Sequence, residues 1–94
     1  VSELLSDDEK SYFMDMESLF NHPGWTRLTT EMRKELEHIP QEVFTHAKTW
    51  ETILEARARE SVLRTFVEYP DAIEQRRAAL EDMKRQQIEE VSTL

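Results

Sequence analysis

"HIPQE", residues 38–42, decides the fold, because its proline separates two long amphipathic stretches. Proline has no N–H to give a helix, and it pushes the residue before it out of helical backbone. The reading is therefore a helix that stops at Ile39 and a second that starts at Gln41. A connection this short turns the two into an antiparallel hairpin.

Upstream, the first arm spans residues 22–39. It is entered through "FNHPGW", residues 20–25, which holds the only glycine of the chain. Asn21 is the expected N-cap, and Pro23 suits a first turn whose N–H groups have no partners anyway. Counted from Asn21, Trp25 is the fourth helical position, so Phe20 and Trp25 are spaced as a hydrophobic staple beside Gly24. Trp25, Leu28, Met32, Leu36 and Ile39 then recur in steps of 3, 4, 4 and 3, which is helical periodicity. Downstream, the second arm spans 41–69. Its stripe reads Phe44, Ala47, Trp50 (or Glu51), Leu54, Ala58, Val62, Phe66 and Tyr69, widened by Ile53 and Leu63. The expected hairpin core is Leu28, Met32, Leu36, Phe44, Trp50, Leu54 and Phe66.

Two flanking helices complete the expectation. Residues 6–20 open on "SDDE", a capping box with Ser6 as N-cap and Glu9 three on, and Asp7 and Asp8 suit the positive end of the helix dipole. Tyr12, Phe13, Met16, Leu19 and Phe20 form the apolar face. Residues 72–91 follow Pro70, with Asp71 and Glu74 again spaced as a capping box. Ile73, Leu80, Met83 and Val91 give this helix a thin stripe among alternating charges. The fold class is all-α: a long helical hairpin with flanking N- and C-terminal helices, three to four in total, in a single helical domain over 1–94. The composition agrees, with one glycine, three prolines and 34% charged residues. It leaves little room for β-hairpins.

The charge excludes some functions. A formal net charge of −8 makes direct nucleic-acid binding unlikely, since phosphate wants a basic patch. Residues 1–20 carry six acids and one base; this is a solvated face or, less readily, a nucleic-acid mimic. With no cysteine there is neither a disulfide nor a thiolate metal site. "VSELLSDDEK" does not read as a signal peptide, and no apolar run reaches the roughly 20 residues of a membrane span.

No catalytic constellation emerges. The serines sit in no nucleophile elbow, and no glycine-rich loop cradles phosphate. Glu35-x-x-His38 has the spacing of a di-metal bundle motif. However, no further inward carboxylate accompanies it, and a histidine near a helix C-terminus is better explained by the dipole. The expectation is a protein that is not an enzyme and has neither metal nor cofactor. Trp25 and Trp50 read first as core, and second as hot spots on a partner surface. Both hold if the core is shared between subunits. Arg57 and Arg64, seven apart on one face, and Arg76 and Arg77 further on, read as solvated salt-bridge positions or as contacts to an acidic partner protein.

The order of these features resembles a set of small helical accessory proteins of tailed bacteriophages, especially short-tailed ones. The resemblance covers about residues 13–75. It rests on Phe20, Pro23, Gly24, Trp25 and Leu28, followed by Ala47, Leu54, Val62 and Leu63. Where many of those proteins carry a glycine inside the second helix, this chain has "RARES", residues 57–61. The resemblance implies a non-enzymatic virion or accessory protein, present in the virion and, during assembly, in the host cytoplasm. It implies protein partners: the portal, tail adaptor or capsid, itself, or both, with the head–tail junction as the leading site. The alternative is a small acidic inhibitor of a basic host protein.

Overall fold

The computed structural model describes residues 4–46 and 48–92. Three helices account for nearly all of them: α1 (Asp7–Phe20), α2 (Pro23–His46) and α3 (Trp50–Ser92), with no strand among the described residues. The chain divides into two compact units. One comprises residues 1–21 and 70–94, the other residues 22–69.

In the unit 22–69, α2 packs on the first half of α3. The turn is not at "HIPQE": α2 runs through Pro40 to His46. The next helix begins only at Trp50, and Ala47, assigned above to the apolar stripe, lies outside the described residues. Thr49 ends the loop by capping α3, its hydroxyl accepting the Thr52 N–H at 3.2 Å. Packing explains why the proline is overridden. The covered side chains of α2 are Trp25, Thr29, Met32, Leu36, Ile39 and Val43, in alternating steps of four and three. The proline lies inside this line, between Ile39, only 1% exposed, and the half-buried Val43. Stopping at Ile39 would forfeit the last covered turn, whereas a helical proline costs about 3 kcal/mol.

On α3 the covered line is Ile53, Ala56, Glu60, Leu63 and Val67. This corrects the expected hairpin core. Met32 and Leu36 do face inward, but Leu28, Phe44, Trp50, Leu54 and Phe66 are 45–94% exposed. Ala56 and Glu60 are among the side chains that face α2, while Trp50, Leu54 and Phe66 are exposed. Arg59 flanks the seam and spans to Glu42 at 2.7 Å and Glu35 at 3.6 Å on α2. Buried Thr29 satisfies its hydroxyl by donating to the Trp25 carbonyl at 2.9 Å.

The entry to α2 is also shifted by one residue. Asn21 closes α1 instead, its N–H donating to the Glu17 and Leu19 carbonyls. His22 caps α2: its Nδ1 accepts the Gly24 N–H at 2.9 Å, and its carbonyl accepts from Trp25. Pro23 becomes the first helical residue, the position it favours, and the staple counted from Asn21 loses its register. A Cβ on residue 24 would meet the His22 Nδ1 at 3.0 Å, so Gly24 leaves room for the imidazole to fold over the helix start.

In the other unit, α1 lies antiparallel to residues 70–92. The Ser6–Glu9 capping box forms as expected. Leu5 and Ile73 are buried, and Glu9, Phe13, Met16 and Phe20 of α1 are half-buried, as are Arg77, Leu80 and Lys84 of α3. The break expected at Pro70 is absent, because α3 continues through it. Glu74 pairs with Arg77 rather than reaching back to cap Asp71.

Ile39→Ala should destabilise the chain by about 2–4 kcal/mol and Ile39→Val by about 1, while Phe44→Ala stays within about 0.5 kcal/mol. Urea unfolding followed by helical circular dichroism measures all three. A Phe44→Ala effect as large as that of Ile39→Ala would refute the assignment of faces. His22→Ala should cost about 0.5–1 kcal/mol as a lost cap, and close to nothing once Gly24→Ala has displaced the ring. Equal costs in both backgrounds would show that the imidazole is not the cap.

Candidate interaction surfaces

Both units expose large apolar side chains, and the most exposed of them belongs to unit 22–69. Phe44 is 94% exposed, Trp50 63% and Val62 57%, with Leu28, Leu54 and Phe66 near one half. Scattered exposed apolar residues are ordinary, and the other unit also exposes six, from Tyr12 to Val91, but Phe44 stands apart as almost wholly uncovered. Beside Phe44 lies a shallow groove of about 310 Å³ lined by Ile39, Pro40, Val43, Ile53 and Ala56, with Arg57 and Glu60 at its edge. Keeping α2 helical past Pro40 is what brings Val43 and Phe44 to this groove.

The four arginines proposed as partner contacts are placed separately. Arg57 stands over the Trp50 ring, 6.0 Å from its centroid, a cation–π distance. Arg64 donates to Glu60 at 2.7 Å. Arg77 bridges Glu74 and Glu81, the latter at 2.7 Å, and the Glu74 carboxylate raises its pKa further above the usual arginine value. Arg76 is exposed. Arg57 is thus engaged with an aromatic ring, and Arg64 and Arg77 with carboxylates of the same chain. Glu35 faces Arg59, and among the described residues no three His, Asp or Glu side chains converge to hold a metal. No helix of the described residues is long and apolar enough to cross a membrane.

In unit 1–21 with 70–94, a cleft of about 430 Å³ opens between Phe13, Met14 and Phe20 of α1 and Pro70 and Ile73 of α3, rimmed by Lys10, Glu17 and Arg77. Lys84 closes this unit by donating to Glu9. Its ammonium, with the Ser6 N–H, holds the Glu9 carboxyl down at about 2 from the ordinary 4.5. A carboxylate whose pKa falls on folding stabilises the fold fully only above the unfolded value. Below 4.5 the unfolded chain takes up a proton that the folded chain refuses, and the contribution is gone once the pH passes about 2. Wild type should therefore be more stable than Glu9→Gln at neutral pH, with the gap closing between pH 4.5 and 2. Paired thermal melts across that range test this, and a gap independent of pH would refute it. The comparison isolates Glu9 from the general relief of acidic repulsion on acidification.

Comparison with protein-family models, curated proteins and solved structures finds no match to this chain, so the functional reading rests on the surfaces just described.

Proposed function

We propose that the chain is a non-enzymatic interaction protein that docks on a larger protein assembly, and that the assembly is a phage particle. The head–tail junction, through the portal or adaptor, is the first site and the capsid the second. The observation that carries docking is the apolar surface of unit 22–69, with Phe44 94% exposed beside a groove. Aromatic anchors in a groove are the usual energetic centre of a protein interface. The phage setting is supported by the "FNHPGW" resemblance. The acidic-inhibitor reading has less behind it, because Glu9 of the acidic first turn is committed to Lys84.

The test is quantitative mass spectrometry of purified particles of a phage encoding the chain. About a dozen copies, the order expected of a closed cyclic ring, would support the junction, and hundreds would support the capsid. Absence from the particle would defeat the virion reading. Phe44→Ser should lower incorporation without loss of helicity; unchanged incorporation would remove the groove from the docking surface.

A further inference from the structure

The first half of α3 carries a second apolar line outside the one buried against α2: Trp50, Leu54, Ala58, Val62 and Phe66, all exposed. Its steps are 4, 4, 4 and 4, so it is an i+4 ridge rather than a heptad seam. At about 100° per residue, Ala58 lies roughly opposite the line that faces α2, and the ridge crosses the back of the helix from one flank to the other. The sequence of sizes along it is symmetric about Ala58. An aromatic residue stands eight positions away on either side, an aliphatic residue four away, and the smallest side chain is at the centre.

We propose that this ridge is the contact between two copies of the chain, related by a two-fold axis through Ala58, with α3 of one copy crossing α3 of the other. With the two α3 helices running in opposite directions, two-fold symmetry places position 58−n beside 58+n of the second copy. Trp50 then meets Phe66 of the second copy, Leu54 meets its Val62, and the two Ala58 methyls meet at the axis. When i+4 ridges of two helices interdigitate, the helices cross at about −50°. Such a crossing brings the axes closest at one point, where a small residue is required, and that point is Ala58.

Charge agrees with a second copy as the occupant. The chain is at −8, yet residues 48–68 carry four bases and four acids, so this face does not repel its own image. Lys48 and Glu68 stand ten positions either side of Ala58 and are brought together by the same symmetry as an opposite-charge pair at each end of the contact. Arg59, next to the axis, is already held by Glu35 and Glu42.

Sedimentation equilibrium of the full chain should give twice 11.2 kDa. Ala58→Glu should weaken the dimer by about tenfold or more at unchanged helicity, because residue 58 is exposed and glutamate is a good helix former. Ala58→Cys should oxidise to a disulfide-linked dimer, whereas Thr30→Cys, on an exposed position of α2, should not. A monomer at all concentrations would overturn the proposal. So would a dimer indifferent to Ala58→Glu, or one in which Ala58→Cys fails to cross-link. The contact does not depend on the virion reading: a dimer absent from particles would defeat that reading and leave this one standing.

Discussion

The structure depends on the single line of side chains along which α2 meets the first half of α3. Ile39, near the end of α2 that leads to α3, is the one described side chain with almost no exposure; Leu5, Ile73 and Thr29 are the other buried ones. A chain of this size has little surface to hide, so each covered position weighs heavily. That weight explains two local irregularities. Pro40 stays inside a helix because the helix must reach Val43, and Thr29 is tolerated in the seam because its hydroxyl turns back to its own backbone. A serine or threonine bonded in this way hides its polarity without asking anything of the partner helix.

Charge secures what the thin core leaves loose. Arg59 spans two carboxylates of α2, and Lys84 holds the first turn of α1 through Glu9. Exposed pairs of this kind are individually weak. Their value here is positional, since each joins segments far apart in sequence and opposes sliding of one helix along the other. The acidic excess lies elsewhere, largely in residues 1–20, and so does not burden the α2–α3 seam.

The all-helical class, the existence of α1 and its Ser6–Glu9 box were legible in the sequence, because each is a local property of spacing and chemistry. The interruptions were not. Pro40 and Pro70 each state a local preference against helix, and tertiary packing overrode both. The Thr49 cap that ends the true loop was a readable signal, but a stronger proline signal nine residues earlier masked it. The faces of α3 were misassigned for a different reason. Ranking lines by hydrophobicity selects Trp50, Leu54, Val62 and Phe66, whereas the line that meets α2 contains Ala56 and Glu60. Of the candidate site, Trp50 was recognised both as core and as partner surface, and the second reading is the one that its exposure matches.

Helix geometry explains why the richer line is the one left outside. A line with alternating steps of three and four averages 3.5 residues per turn and drifts only about 20° per heptad. It can therefore stay against a near-antiparallel neighbour for several turns, which the short connection from His46 to Trp50 imposes on α2. A line with steps of four advances roughly 40° at each step, and from Trp50 to Phe66 it leaves one flank of α3 and arrives at the other. No helix tied into the hairpin could follow it, however apolar its side chains. Only a helix free to cross at a steep angle can, and that freedom belongs to a partner not constrained by the loop. The α2–α3 pair thus takes the less hydrophobic seam, and the more hydrophobic ridge stays exposed.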